Sequence, residues 1–492
     1  EMLKSLDPYT SYIPESEIED FRFQTTGQYG GIGAMITKIG DYVVISEPYE
    51  NFPAQKAGLI AGDKILEING VNAKGKTTEE VSKVLKGQPN TSVTLLIERP
   101  HSEKPFEVTF NREQVSVASV PYSEYIVEGI GYIRLRSFTR NCSKDLKNAI
   151  IELKKKQDLQ GLILDLRSNP GGLLNESVNI VNLFVDKGEE VVSTKGKIKS
   201  WDKTYVATNM PLDTKVKLVV LINSSSASAS EIVSGSIQDL DRGIVIGQRS
   251  YGKGLVQQTR KLSYNSQLKL TVAKYYIPSG RCIQALDYSN RNEDGSVGKI
   301  ADSLMTAFST RNGRVVKDGG GILPDIVVDA EKFGMIIPSL LKERLFFHYA
   351  TDYHFLNDSI SGDFVFSDSD FNDFVSYLSD KEYTYKTETE IALQELKKQA
   401  TEEGYFSAFS EEYNTLLLKM KDNKNDDLQK NKDDIKEILT SEIMSRYFYQ
   451  KGRIKAGLNF DVEVKKAVEI LQETEAYFKI LGSGNIEKET KN

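Results

Sequence analysis

Apolar residues follow two regimes along the chain. Up to about residue 330 they form short runs and alternations between glycine-rich turns; beyond about 331 the glycines thin out and long Leu/Lys/Glu stretches, such as 387–401 and 433–448, carry helical spacing. Early in the first regime, short apolar clusters at 34–36 and 42–45 precede Ile65-Leu66-Glu67-Ile68-Asn69-Gly70, where Asn-Gly marks a tight turn. Thr77 or Thr78 caps a helix with Val81, Val84 and Leu85 on one face, and a strand at 93–98 closes the unit. These elements predict a small α+β module at about 24–100.

From about 121 strands alternate with helices. Gly131–Leu135 reads as a strand and 143–156 as a helix with Leu146, Ile150 and Leu153 aligned. The run 161–166 (GLILDL) is continuously apolar but for Asp165, as in a strand covered on both faces. A turn at 169–172 (NPGG), a helix at about 174–184, a strand at 217–222, a small-residue helix at 229–240, and strands at 244–246, 255–259 and 268–276 complete an α/β core ending near Pro324-Asp325-Ile326. An acidic helical pattern at 15–22 precedes the module, and Lys421–Lys436, almost without apolar residues, reads as a solvated loop or frayed helix end.

Composition narrows the chemistry. A chain of 492 residues accommodates about three domains. A net charge of −7 leaves no electrostatic footprint for nucleic acid, and no apolar run reaches the ~18 residues of a membrane span. Two cysteines, Cys142 and Cys282, cannot build a disulfide framework or a four-thiolate zinc site. Only three histidines occur (His101, His348 and His354), none of them inside the α/β core. The chain opens at Glu1 without a basic or apolar leader, so localisation is not read from it.

Gly247–Gly254 (GQRSYGKG) approximates a phosphate-binding loop, but Gly254 stands where magnesium needs Ser or Thr, and a strand-like run follows in place of a helix. The serine cluster 224–230 joins a buried strand to a helix. That is either a capped, close-packed helix or a nucleophile at a helix N-terminus, where free N–H groups favour a developing oxyanion. A nucleophilic serine needs a base. With no histidine in the core, a desolvated lysine is the alternative to a folded-back histidine, and Lys253, between two glycines, is the candidate.

The run Ser226-Ala227-Ser228-Ala229-Ser230-Glu231-Ile232, with Gln238-Asp239, Gly247, Tyr251-Gly252-Lys253-Gly254 and Gln257-Gln258, resembles the catalytic signature of the carboxyl-terminal processing (tail-specific) protease family. Leu6-Asp7-Pro8, Ser11-Tyr12, the PDZ-like 57–70 and 85–87, the block 161–174, and 278–281 and 321–326 extend the resemblance over roughly residues 6–330. It implies an α/β fold with a crotonase-like protease core (101–330), an N-terminal helical segment (1–23), an N-terminal α+β PDZ domain (24–100) and a mostly helical C-terminal extension (331–492). By the same resemblance Ser228 is the nucleophile, Lys253 the general base, and Gln257, four positions on, the group that orients the amine. The Ala229 and Gly172 N–H groups form the oxyanion hole, and Asp165 and Arg167 brace the glycine turn. Gly30, Gly31, Ile32 and Gly33 form the loop that presents N–H groups to a peptide's terminal carboxylate.

The implied function is a serine endopeptidase that engages protein C-termini and works through an acyl-enzyme, with no cofactor and no metal. Its partner is a protein or peptide with a free C-terminus, not nucleic acid; the helical extension serves a homo-oligomer, the substrate channel or an adaptor. Family members are exported, which implies a periplasmic or envelope location. Two other readings stay open on the sequence: a peptide-binding scaffold with an inactive core, and a hydrolase using one of the outlying histidines.

Overall fold

The computed structural model describes residue 3 and residues 6–482 except 292–296, 331 and 425. The chain forms two compact units, each assembled from non-contiguous segments: Glu1–Tyr29, Ser116–Ala330 and Asp461–Asn492 make the first, Gly30–Val115 and Glu331–Phe460 the second.

The first unit is built on a six-stranded sheet whose neighbours run in the order Tyr122–Val127, Ile130–Arg134, Gly161–Asp165, Lys217–Ile222, Ile244–Gly247 and Ile326–Val327. The first pair is antiparallel and all the others are parallel, with Leu162 opposite Leu218 and Leu164 opposite Val220. Parallel strands buried on both faces require continuous apolar sequence, which is why 161–164 and 218–222 read as unbroken runs. Leu162, Leu164, Leu218 and Val220 share one core with Leu146 and Ile150 of helix Cys142–Lys156 and with Ile232 and Ile237 of helix Ala229–Asp239. Alternation sends Gly161 to the opposite face, where helix Val462–Gln472 packs and Leu471 fills the space a side chain at 161 would need. Tyr477, on the next helix, receives a hydrogen bond from Leu218 N–H at 2.9 Å. Residues beyond 331, read as a single helical domain, are therefore divided: their last helices complete the first unit because Ala467, Leu471 and Tyr477 have a sheet to bury against.

A second, antiparallel sheet in this unit pairs Gln267–Tyr276 with Leu255–Lys261, with Glu190–Gly196 and with the N-terminal strand Ser11–Ile13. The first segment is thus not purely helical: a strand precedes helix Ile18–Thr26.

In the second unit the sheet runs Ala34–Ile39, Tyr42–Pro48, Lys64–Ile68, Ser92–Glu98, Phe106–Asn111, all antiparallel. Ser92–Glu98 does not close it: Val93 pairs with Phe110 and Leu95 with Val108, which extends the module to Val115. Thr77 is the cap of helix Thr78–Leu85, accepting from Glu80 N–H at 3.2 Å while the Glu80 carboxylate accepts from Thr77 N–H at 2.7 Å. Val81 and Leu85 are buried as expected; Val84 is 43% exposed and faces away. The helical part packs Phe346, Phe366, Phe371 and Phe374 against Leu439 and Ile443. It joins the sheet through the buried Glu47, whose carboxylate accepts from Arg453 at 3.0 Å. Lys421–Lys436 is largely helical rather than looped: Ile435 is fully buried and Lys432 and Lys436 both pair with Asp368. No helix among the described residues is long and apolar enough to cross a membrane.

Candidate active site

Strand Lys217–Ile222 ends in a tight turn, and Ser228 stands at its far end as the N-cap of helix Ala229–Asp239, every residue of which is buried. Ser228 has φ +56° and ψ −110°, a conformation disfavoured for a side-chain-bearing residue, and strain of this kind persists only where the surroundings over-determine it. Two anchors do so. Buried Asn169 accepts through its carbonyl from Ala227 N–H at 3.0 Å and from Ser230 Oγ at 2.9 Å, tying the serine turn to the glycine turn after strand Gly161–Asp165. The second anchor is Glu231.

Glu231, fully buried one turn into the helix, takes four hydrogen bonds: from Ser228 N–H at 2.7 Å, Lys253 N–H at 2.9 Å, Gly252 N–H at 2.6 Å and Ser250 Oγ at 2.5 Å. One carboxylate thereby fixes both the serine turn and the lysine loop. Burial pushes its pKa up, and these donors work against that push. Tyr275 closes the arrangement, its hydroxyl donating to the Lys253 carbonyl at 2.6 Å and to the Ser228 carbonyl at 3.3 Å.

Lys253 is half-buried. Gly252 beside it has φ +87°, and a Cβ there would lie 2.3 Å from Ala285 Cβ, so the loop passes too close for any larger residue. Desolvation lowers the Lys253 pKa, Lys269 adds to this, and Glu231 and Asp7 oppose it. The ammonium lies 4.6 Å from the centroid of the Tyr9 ring. Among the described residues no hydrogen bond joins Lys253 Nζ to Ser228 Oγ. Gln257 lines the same cavity, of about 740 Å³, as Ser228, Ala229, Gly172 and Lys253. Its amide donates to Leu255 O and Thr271 Oγ1 at 3.4 and 3.5 Å, and among the described residues it makes no hydrogen bond to Lys253. The four positions between them do not run along one regular strand: Lys253 precedes strand Leu255–Lys261, and the register shifts between Val256 and Gln257.

The Ala229 and Gly172 N–H groups have no acceptor among the described residues, and both residues line the cavity. Gly172 follows Gly171, where φ is +96° and a Cβ would stand 2.6 Å from Ala227 O and 2.9 Å from both Ala229 N and Ser228 Cβ. Gly171→Ala is therefore expected to push the two turns apart, lowering stability by about 1–3 kcal/mol in thermal unfolding and abolishing covalent labelling of Ser228 by a fluorophosphonate. Unchanged labelling would show that the turns do not depend on this contact. Arg167 braces the strand end beside them, pairing with Asp165 and Asp461 at 2.7 and 2.6 Å and with Glu463. Gln238 and Asp239, part of the same sequence signature, are structural and hold the buried Arg281 at 2.8 Å each. The loop 247–254 leads into strand Leu255–Lys261 and not into a helix.

In the second unit Ile32 is buried, and Ile32 and Gly33 accept through their carbonyls from Ala54 N–H and Tyr49 N–H, both at 2.8 Å. The adjoining strand Ala34–Ile39 is a sheet edge, and helix Thr78–Leu85 packs beside it. All three histidines belong to this unit; the unit holding Ser228 contains none. His101 is engaged with Asp352 at 2.9 Å.

Residues 129–288 match the model of peptidase family S41, residues 44–99 that of a PDZ domain, and residues 336–471 that of the C-terminal helical domain of a probable PDZ-protease. A carboxy-terminal-processing protease of Bartonella bacilliformis is 40% identical over 289 residues, 58% of this chain and 66% of that protein. Over residues 129–288 the chain is similar to peptidase family S41. Another relative, a probable CtpA-like serine protease of Staphylococcus aureus, is 37% identical over 285 residues, 57% of this chain and 56% of its own. The chain thus spans less than two thirds of the length of these curated relatives. Among solved structures, a photosystem II D1 C-terminal processing protease is 28% identical and covers 68% of this chain and 80% of its own, with a TM-score of 0.37.

Sequence reasoning did not single out two residues of this site. Glu231 was visible as a cap three positions after Ser228, but its bonds to the lysine loop depend on the fold. Tyr9 carried no signal, because strand pairing alone brings it to a lysine 244 positions away.

Proposed function

We propose that the protein is a serine endopeptidase with a Ser228/Lys253 dyad that recognises polypeptides by their free C-terminus. The observation that carries the reading is the pair of turns locked by Glu231, which brings a strained serine, a desolvated lysine and two unpaired N–H groups to one cavity. In the reaction, neutral Lys253 takes the Ser228 hydroxyl proton as Oγ attacks the scissile carbonyl, whose oxygen becomes an anion held by Ala229 and Gly172 N–H. The lysine ammonium returns the proton to the leaving amine, and an acyl-enzyme remains. Water, deprotonated by Lys253, then releases the acyl group as a carboxylate and restores the serine. Gln257 orients the amine once it turns toward Ser228.

Gly30, Gly31, Ile32 and Gly33 receive the terminal carboxylate, and the peptide adds as a strand along Ala34–Ile39. An exported, periplasmic or envelope location goes with this role. The test uses one unstructured polypeptide with a free C-terminus and its amidated twin. Wild-type protein is expected to cleave the first at least ~10-fold faster, a hydrogen bond from backbone N–H to a charged carboxylate contributing about 1.5–3 kcal/mol. Ser228→Ala is expected to cleave neither. Equal cleavage of both overturns the C-terminal recognition, and turnover by Ser228→Ala overturns the nucleophile.

A further inference from the structure

The N-terminal strap does more than cover a sheet edge. Asp7 accepts from Tyr9 N–H and Thr10 N–H, both at 2.8 Å, and from Thr10 Oγ1 at 2.6 Å, which pins the turn Asp7–Thr10. Thr10 Oγ1 in turn accepts from Thr271 N–H at 3.3 Å, and Ser11–Ile13 pairs antiparallel with strand Gln267–Tyr276, Ser11 opposite Lys269 and Ile13 opposite Gln267. The strap is thus fixed to the strand that also carries Lys269 and Tyr275, and it holds the Tyr9 ring against the Lys253 amine, 4.6 Å from ring centroid to Nζ. A ring face attracts an ammonium and not a neutral amine, so this contact favours the protonated lysine.

We propose that Tyr9 is a positioning residue for Lys253: its ring holds the amine as the ammonium, with no hydrogen bond to Ser228, and so sets the pH at which the base becomes available. The inference rests on the reading of Lys253 as the base. The other groups facing this amine are accounted for. Asp7 on the strap and Glu231 on the helix favour the charge, and Lys269 on strand Gln267–Tyr276 opposes it. Tyr251 and Tyr288 face the Tyr9 hydroxyl, and Tyr275 is spent on the Ser228 and Lys253 carbonyls. To work as a base, Lys253 gives its proton to bulk water, leaves the ring and turns to Ser228 Oγ.

Tyr9→Leu keeps the site dry and removes the ring; Tyr9→Phe keeps the ring. In the full chain labelled with 13C-lysine, the Lys253 Cε resonance is assigned by its loss in Lys253→Arg and titrated. Removing a stabiliser of the charged form lowers the pKa, so Tyr9→Leu is expected to move the Cε midpoint down by roughly 0.4–1.5 pH units, with Tyr9→Phe unmoved. The acid limb of kcat/KM is expected to follow the same midpoint to lower pH. A midpoint unchanged or raised in Tyr9→Leu, or shifted equally in Tyr9→Phe, overturns the proposal. A Cε midpoint that falls while the acid limb stays fixed upholds the ring contact and overturns Lys253 as the base. Tyr9→Met, equally apolar and ringless, replaces the leucine variant if that one fails to fold.

Discussion

Lys253→Arg is expected to lose ~10²–10⁴-fold in kcat/KM on a polypeptide with a free C-terminus while melting close to wild type. The guanidinium can still lie on the Tyr9 ring, so the loop keeps its charge and its packing. It stays protonated at every pH the fold tolerates, and it cannot take the Ser228 proton. The comparison therefore isolates basicity from charge, which Lys253→Ala would not, because it also empties the space beside Tyr9. An arginine variant within about tenfold of wild type would remove the lysine from the mechanism. It would also reopen the histidine reading, although the unit holding Ser228 contains no histidine.

The second large effect is expected at Glu231. Glu231→Ala strips the acceptor from four donors at once, and each buried donor left unpaired costs about 1–3 kcal/mol where water does not reach it. The melting temperature falls and turnover is lost with it. Glu231→Gln separates the two effects. The amide keeps the shape and one acceptor but turns an N–H pair toward either Ser228 and Lys253 or Ser250 and Gly252. The turns then part by a fraction of an ångström, and a misplacement of about 1 Å costs ~10²-fold in rate. The glutamine variant is expected to retain most of the thermal stability and to lose about that factor in kcat/KM. Unimpaired turnover by Glu231→Gln would show that Ser228 and Lys253 are positioned without this carboxylate.

Much of this was legible before any coordinates. The unbroken runs 161–164 and 218–222 announced a sheet covered on both faces, because burial on both sides leaves no polar register to read. The site's two turns were legible through glycine and serine chemistry, since Gly171, Gly252 and the helix cap act locally. What stayed hidden depends on distant segments. The strand Phe106–Asn111 alternates cleanly, yet only its pairing with Ser92–Glu98 shows that the module continues past residue 100. The face of Val84 was misassigned because one residue at the edge of a helical stripe falls on either side of it. Lys421–Lys436 looked too polar to order, but Ile435 supplies the buried anchor and Asp368, outside the stretch, supplies the counter-charge. Gln257 came from the resemblance, and the register shift just before it, between Val256 and Gln257, carries no mark in the sequence.

The brace on Arg167 has a consequence for how the molecule is made. Two of its three acidic partners, Asp461 and Glu463, lie 294 and 296 residues downstream, so the guanidinium beside the glycine turn gains its full set of partners only after those residues have left the ribosome. Closing a loop of that length carries an entropic penalty that no local contact offsets in advance. Biosynthesis thereby imposes an order of events: the strand and helix that flank Ser228 emerge first, and the segment that steadies the neighbouring turn follows more than two hundred residues later.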